Sequence, residues 1–274
     1  MTAVTHDAAA PQRLRLVIVG AGRMGGAVLQ GAIGSGLLSA AEIAIFHPNA
    51  RRAAELSDRF GVAPVDDSGL RHAEHILIDV KPQSFTRVAP LIAQPGASFI
   101  SLMAGVTAET IAERLGSRRV IRAMPNMGAA LGVSATALTA LPDATVEDLA
   151  MARGLFSAVG TVYELREELF DAFTGMAGSG PAYAAVVAEA LADGGVRVGL
   201  DRTTARDLAR QVLLATARLL ETKHASELKD EVSSAGGTAI AGVRTLERHR
   251  LRFALIDAIE EATKRAGELR KEDV

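Results

Sequence analysis

The first half of the chain alternates short apolar runs with longer stretches in which apolar residues recur at helical spacing. A buried strand is apolar on both faces, whereas a surface helix is apolar along one stripe, so the runs predict strands and the stretches predict helices. The alternation predicts βαβ units and a mostly parallel sheet. The predicted strands are 14–19, 42–47, 75–80, 98–103, 120–123, 134–138 and 161–165, and helices are predicted after the first strand and over 50–60, 85–92 and 108–115.

From about Arg166 onward the strand pattern stops, and helices are predicted over 167–176, 183–198, 203–222, 227–232 and 252–267. Asp201 and Ser226 are candidate N-caps for two of them. The helix that follows Asp201 is apolar over much of its circumference, which is typical of a helix in a bundle or at a subunit interface. We therefore expect an α/β domain over 14–165 and an all-helical dimerisation domain over 166–274.

Composition narrows the class of protein. In 274 residues, 49% are hydrophobic and 23% charged, the net charge is −2, and cysteine is absent. These values indicate a globular protein without disulfides or thiolate chemistry, and they argue against a nucleic-acid partner. No apolar run reaches the ~20 residues of a membrane span. Residues 1–13 lack the apolar core of a secretory signal, so we expect a disordered tail and a cytoplasmic protein.

The first strand leads directly into Gly20-x-Gly22-x-x-Gly25 and a helix. In this context the motif indicates dinucleotide binding. Gly20 permits a tight turn, Gly22 lets the backbone approach a pyrophosphate, and Gly25 lets the helix pack on the strand. The amides at the helix start would face the phosphates. The alternative is a glycine-rich turn in another kind of α/β protein.

The end of the second strand bears on the choice of cofactor. Folds that prefer NAD place Asp or Glu there, but this chain continues with His47 and Pro48, followed by Arg51 and Arg52. Arginine suits a 2′-phosphate because it carries several fixed donors and a permanent charge. We expect NADP, with NAD possible; alternatively, the two arginines only decorate the next helix.

Three short motifs follow later strands: Val80–Pro82, Ala104–Gly105 and Met124–Asn126. In a parallel sheet, ligands lie beyond the carboxyl ends of the strands, so these motifs are expected around one crevice. Lys81 is equally well explained as a solvated charge or as a contact to the cofactor. Asp79 stands in an apolar strand without an evident reason.

Two glycine- and serine-rich breaks interrupt the helical half, at 178–183 and at 233–239. A break that opens a helix presents free amides, which can seat a carboxylate. The alternative is a pair of ordinary helix connectors.

Taken together, the motifs resemble those of the pyrroline-5-carboxylate reductases. The matching segments, in the family's order, are GAGRMG (20–25), DVKPQ (79–83), SLMAGVT (101–107), RAMPNMG (122–128), GSGPAY (178–183), ADGGVRVGL (192–200) and HASELKDEVSSAGGTAIAGVRTLE (224–247).

The resemblance implies an NAD(P)H-dependent reductase of the cyclic imine 1-pyrroline-5-carboxylate. It implies a Rossmann-type domain, a helical dimerisation domain and an active site shared between subunits of a homodimer or larger homo-oligomer. By the same resemblance, Ser234, Gly236, Gly237 and Thr238 would bind the substrate, and Ser234, Thr238 and Ala239 would occupy the catalytic positions. The resemblance implies no metal ion. The cofactor-lining residues would be Gly20, Gly22, Arg23, Met24, Gly25, His47, Asn49, Arg51, Val80, Lys81, Pro82, Met103, Ala104, Gly105, Pro125 and Asn126.

The chain departs from the family pattern at three places. Met127-Gly128 replaces the usual Thr-Pro, Ala235 replaces a proline, and Ala239 replaces the threonine near the imine. Thr238 is adjacent, but one helical position points it about 100° away. One lost neutral hydrogen bond costs roughly 0.5–1.5 kcal/mol, about a tenfold effect on rate.

Hydride transfer is the cofactor's chemistry, so the protein is expected to supply orientation. No general acid stands out: Tyr183, His224 and His249 are better explained as structural residues, and solvent can supply the proton. Three alternatives remain. A divergent paralogue could reduce a related imine. A β-hydroxy acid dehydrogenase would want a lysine base, but none occurs over 166–221. A dinucleotide-binding regulator would be expected to show a substrate loop that has drifted, as Ala239 suggests.

Overall fold

The computed structural model describes residues 14–94 and 96–272. They form two compact units, which divide after Thr174; the first unit includes the chain again from Lys264, and the second spans Gly175–Thr263. We call them the sheet unit and the helical unit. The predicted tail, 1–13, lies outside the described residues.

The described part of the sheet unit contains one sheet of eight strands, in the order β3-β2-β1-β4-β5-β6-β7-β8. From β3 to β6 all neighbours are parallel; β7 runs antiparallel to β6, and β8 parallel to β7. The order 3-2-1-4-5-6 is that of a dinucleotide-binding fold, whose crevice lies where the strand order reverses, between β1 and β4. The predicted fold class is therefore confirmed. The strands are β1 Leu14–Val19, β2 Ile43–Phe46, β3 Ala63–Val65, β4 Ala73–Ile78, β5 Ser98–Ser101, β6 Val120–Pro125, β7 Ser134–Ala140 and β8 Gly160–Glu164.

Helices cover both faces of the sheet and make up most of the helical unit. They are α1 Arg23–Gly34, α2 Ala50–Phe60, α3 Asp67–Leu70, α4 Pro82–Ile92, α5 Ala108–Leu115, α6 Val146–Ser157, α7 Phe170–Phe173, α8 Gly180–Arg197, α9 Arg202–Leu219, α10 Ala225–Val232, α11 Thr238–Arg248 and α12 Leu251–Glu272. Alternate residues of β1 serve the two apolar layers: Leu16 and Ile18 face the layer with α1 and α6, and Val17 and Val19 the layer with α4 and α5.

Several sequence expectations need correction. The pattern missed β3, a short edge strand that contains Pro64, and it missed α6 and α11. The predicted helix 167–176 is instead a 3₁₀ turn, a short α-helix and a π-helical turn. The predicted cap Ser226 is wrong, because α10 is capped by His224, whose Nδ1 accepts the amide of Ser226. Asp201 does cap α9, accepting the amides of Thr203 and Thr204.

Candidate active site

The glycine loop after β1 turns sharply at its first glycine. Gly20 has φ +100°, a conformation that favours glycine, and its amide donates to the carbonyl oxygen of Phe46 at 3.1 Å. A Cβ at this position would strike the carbonyl oxygen of Asp79. The loop ends at Gly22, the N-cap of α1. The turn therefore brings the start of α1 against the end of β4.

Asp79 contacts the glycines of the Gly20-x-Gly22-x-x-Gly25 motif, and these contacts explain why an acidic residue stands at this position. It follows β4, and its Oδ2 accepts the amides of Gly22 at 2.6 Å and Gly25 at 2.8 Å. Burial raises the pKa of the Asp79 carboxyl, and the two amides act in the opposite direction. A Cβ on Gly25 would lie 2.6 Å from Oδ2, so this glycine accommodates a carboxylate as well as the close approach of helix and strand.

Two amides remain available at the start of α1. In the part of the chain that the structure describes, the backbone N–H groups of Arg23 and Met24 have no acceptor. They lie between the two amides bound to Asp79, at the point where the strand order reverses. Unpaired amides at a helix N-terminus attract anions through their hydrogen bonds and the helix dipole. The residues present therefore fit the pyrophosphate of a dinucleotide.

The end of β2 carries no carboxylate, but Glu55 lies in the second turn of α2. His47 Nδ1 accepts the amide of Asn49 at 3.0 Å, and Asn49 Oδ1 caps α2 through the amide of Arg52 at 3.2 Å. Arg51 Nε lies 3.3 Å from Glu55 Oε1, and Arg52 Nη1 2.9 Å from Glu55 Oε2. The side chain of Arg51 is 90% exposed, so its pairing is weak and easily exchanged for another anion.

The next two strand ends differ in what they expose. Lys81 is exposed and is the N-cap of α4, which begins at Pro82; Val80 is half-buried. The side chain of Met103 is buried in the apolar layer, and its amide donates to Ser101 Oγ at 3.2 Å. The residues after it return to the surface, with Ala104 exposed and Gly105 at φ +76°.

The turn after β6 gives a structural reason for one departure from the family pattern. Pro125 is buried, and Asn126 Oδ1 accepts the amide of Gly128 at 3.0 Å. Proline at 128 would have no N–H to donate. A Cβ at this position would also lie 2.6 Å from the carbonyl oxygen of Val133. Glycine thus belongs to the turn that this chain adopts.

In the helical unit, the segment between α10 and α11 leads into a second helix N-terminus with unpaired backbone amides. Gly236 has φ +70°, and Gly237 is the N-cap of α11 without a side-chain cap. A Cβ on Gly237 would strike Ser234 Oγ, which places that hydroxyl beside the helix start. Among the described residues, the amides of Thr238, Ala239 and Ile240 have no acceptor. This loop can seat a carboxylate.

The other break begins α8 at Gly180, with Pro181 in its first turn. The hydroxyl of Tyr183 donates to the carbonyl oxygens of Gly175 at 3.1 Å and Ala258 at 3.4 Å. Tyr183 and the helix cap His224 are therefore structural here.

Comparison with known proteins identifies the family. Two family descriptions match: "NADP oxidoreductase coenzyme F420-dependent" over residues 15–105 and "Pyrroline-5-carboxylate reductase dimerisation" over residues 167–269. A pyrroline-5-carboxylate reductase from Thermus thermophilus is 49% identical over 257 residues, covering 93% of this chain and 98% of the relative. The chain belongs to the pyrroline-5-carboxylate reductase family. This confirms the resemblance found in the sequence.

Solved structures of the pyrroline-5-carboxylate reductase family are similar to this chain over most of its length. The enzyme from Coxiella burnetii has a TM-score of 0.86 at 29% identity, covering 94% of this chain and 98% of that one. A pyrroline carboxylate reductase from Plasmodium falciparum, solved with NADP bound, has a TM-score of 0.81 at 22% identity, covering 94% and 99%. The latter likeness shows the fold alone.

The helical unit of this reductase-family member carries the dimerisation domain, which indicates a homo-oligomer. Large apolar side chains lie exposed on it, among them Val186, Leu208, Val212, Phe253 and Ile256. In the described ranges, no helix is both long and apolar enough to span a membrane. The same residues contain no cluster of three or more His, Asp or Glu placed to hold a metal ion.

Proposed function

We propose that the chain catalyses the NAD(P)H-dependent reduction of 1-pyrroline-5-carboxylate to L-proline. The observation that carries the proposal is the 49% identity to a pyrroline-5-carboxylate reductase, which extends over nearly all of both chains. The unpaired amides at the N-termini of α1 and α11 support the proposal. The reaction needs one binding site for a dinucleotide pyrophosphate and one for a carboxylate, and a helix N-terminus can bind either group.

For the cofactor, we assign the pyrophosphate to the amides of Arg23 and Met24, in the loop Gly20–Gly25. When bound, the nicotinamide supplies the hydride. We assign the 2′-phosphate of NADP to the surface formed by His47, Asn49 and Arg51, where arginine is exposed and the strand end lacks a carboxylate. The remaining strand ends, 80–82, 103–105 and 125–126, complete the crevice.

For the substrate, we assign the carboxylate to Ser234, Gly236, Gly237 and Thr238. The Ser234 hydroxyl and the amides at the start of α11 can donate to it together. Holding the carboxylate fixes one ring face for reaction, and orientation is the protein's main contribution to such chemistry. By the family resemblance, Ala239 stands at the position nearest the imine, and its side chain offers no hydrogen bond.

Protonation needs no dedicated acid in this proposal. The protonated imine already carries the positive charge that attracts a hydride, and solvent supplies its proton. The residues of the Ser234–Ala239 loop hold and orient the substrate. We propose that the cofactor domain spans 14–165, that the substrate and dimerisation domain spans 166–274, and that a homodimer is the smallest complete assembly.

Steady-state kinetics of the purified protein test the proposal. NADPH absorbance should fall only when 1-pyrroline-5-carboxylate is present, and Ser234→Ala should raise KM about tenfold through loss of one hydrogen bond to a charged group. Ser226→Ala, elsewhere on the helical unit, serves as the control and should leave KM unchanged. Intact NADPH binding without turnover would contradict the proposal and favour the dinucleotide-binding regulator, which Ala239 suggests.

A further inference from the structure

Asp79 places an anion at the helix start that we assign to the cofactor pyrophosphate. Its Oδ2 accepts the amides of Gly22 and Gly25, the N-cap and third residue of α1. The amides assigned to the phosphates, those of Arg23 and Met24, lie between them. One helical turn rises about 5.4 Å, so a ligand on these amides shares a single turn with the carboxylate.

The Asp79 carboxylate lies in close contact with the glycine loop Gly20–Gly25. The missing Cβ of Gly25 would lie 2.6 Å from Asp79 Oδ2, and that of Gly22 would lie 3.1 Å from the same atom. Gly20 faces the backbone carbonyl of Asp79. All three glycines of the motif therefore fit around this residue.

Little positive charge compensates this carboxylate. The titratable groups near the ends of these strands are Arg23, the first residue of α1, His47 after β2 and Lys81 after β4. None of them is among the causes that shift the pKa of Asp79. The start of α1 supplies only about half a positive charge. A pyrophosphate bound at the start of α1 would have to share this partial positive charge with the ionised side chain of Asp79.

We propose that Asp79 determines cofactor affinity by sharing the N-terminus of α1 with the pyrophosphate and weakening its binding while ionised. This inference rests on the proposed cofactor site. Pyrophosphate beside the carboxylate favours its protonated form, so binding takes up a proton and strengthens as pH falls. Burial already raises the pKa of Asp79 in the same direction.

The direct test is Asp79→Asn, which keeps an acceptor oxygen for the two amides and removes the charge. Fluorescence titration at pH 8 should give Kd values for NADPH and NADH that are lower by about the same factor, on the order of fivefold. Asp201→Asn is the matched control, because Asp201 also accepts two amides at a helix start but lies in the helical unit. A Kd for Asp79→Asn equal to or higher than that of the wild type would overturn the inference.

A pH series separates charge from a purely structural role. ADP-ribose carries the pyrophosphate without a titrating 2′-phosphate, so calorimetry with this ligand reports on the α1 site. The wild-type affinity should rise as the pH is lowered, and the affinity of Asp79→Asn should rise less. Equal pH dependence in both proteins would overturn the inference.

The experiment also distinguishes a folding defect of the variant from a failure of the proposed function. If Asp79→Asn does not fold, Asp79→Ser also removes the charge and carries the same expectations. If the wild type binds no dinucleotide, the proposed function fails together with this inference. Dinucleotide binding that is unaffected by the substitution overturns the inference alone.

Discussion

At the scale of single residues, we propose that Ala239 is the departure from the family pattern with the largest effect on catalysis. It is the second residue of α11, and its amide is among those without an acceptor in the described part of the chain. Its methyl group cannot replace the hydroxyl of the family's threonine. Thr238 precedes it, but successive helical residues diverge by about 100°, so the Thr238 side chain leaves the helix in a different direction.

We predict that Ala239→Thr raises kcat about tenfold, because it adds one hydrogen bond near the reacting imine. KM should change less, since Ser234 and the amides of α11 hold the carboxylate. Ala241→Thr, on another side of the same helix, is the control. Wild-type activity that Ala239→Thr does not increase would show that Thr238 or a water already makes this contact.

Cofactor preference should depend on the two arginines at the start of α2. The double variant Arg51→Ala/Arg52→Ala should weaken NADPH binding about tenfold and leave NADH binding unchanged, because only NADPH carries the 2′-phosphate. Glu55→Gln should act in the opposite direction, since Glu55 pairs with both guanidiniums. Fluorescence titration measures each Kd, with the exposed Arg87→Ala as control. Equal NADPH and NADH affinities in wild type and double variant would refute this assignment.

The motifs of the proposed site could be found in the sequence, but the hydrogen-bond partners of Asp79 could not. The motif Gly20-x-Gly22-x-x-Gly25 and the arginines were evident, because each depends on local spacing. Asp79 is bound to amides 54 and 57 positions earlier. Such a contact exists only once β1 and β4 lie side by side, so no local pattern could reveal it.

At the scale of secondary-structure elements, a buried polar cluster joins β4, β5 and α6. His75 Nδ1 lies 2.7 Å from Ser98 Oγ and 3.6 Å from Asp148 Oδ1. Arg119 donates to both carboxylate oxygens of Asp148, at 2.9 and 2.7 Å. Asp148 also belongs to the capping box that starts α6, with Thr145. The cluster therefore fastens α6 to the sheet.

The protonation of His75 should make the stability of the fold depend on pH. Burial lowers the pKa of His75 below 6.5, against the opposing charge of Asp148. Below pH 6.5 the unfolded chain binds a proton that the folded chain resists, so this contribution is complete above that pH and is lost as pH falls. Urea unfolding at pH 7.5 and 5.5 should show a larger loss of unfolding free energy for wild type than for His75→Asn.

The neighbouring His72 is exposed, so His72→Asn is the matched control and should behave like the wild type. An identical pH dependence for wild type and His75→Asn would mean that His75 is not the responsible group.

Helices could be predicted from the sequence where apolar residues recur clearly at the helical period. The helices 50–60 and 108–115 agree with α2 and α5, whose apolar faces are well separated from their polar ones. The helix α6 was missed although Thr145 and Asp148 form a capping box, because its apolar residues are less clearly confined to one face. The strand β3 has three residues and lies at the sheet edge, so its pairing with β2 rather than its sequence defines it.

At the scale of the whole molecule, exposed apolar surface indicates self-association. Leu208, Val212 and Leu219 lie within about 40° of one another around α9, and each is exposed by 44% or more. A stripe of this kind is typical of a subunit interface. We predict a dimer or a multiple of it by light scattering at micromolar concentration.

A charge in this stripe should disrupt the assembly. Val212→Glu should reduce the measured mass, because an unpaired carboxylate in an apolar interface is costly. Ala217→Glu, at an exposed position on the opposite side of α9, should not change it. A wild-type protein that is monomeric at micromolar concentration would contradict the expected homodimer.

Hydride transfer from the nicotinamide to the cyclic imine is the step that we propose for this chain, and isotope transfer measures that step directly. The purified protein would be given 1-pyrroline-5-carboxylate and NADPH carrying deuterium in the transferable position of its nicotinamide ring. We predict L-proline with one deuterium on the former imine carbon, in proportion to the NADPH consumed. Absence of proline, or proline that contains no deuterium from the cofactor, would contradict the account.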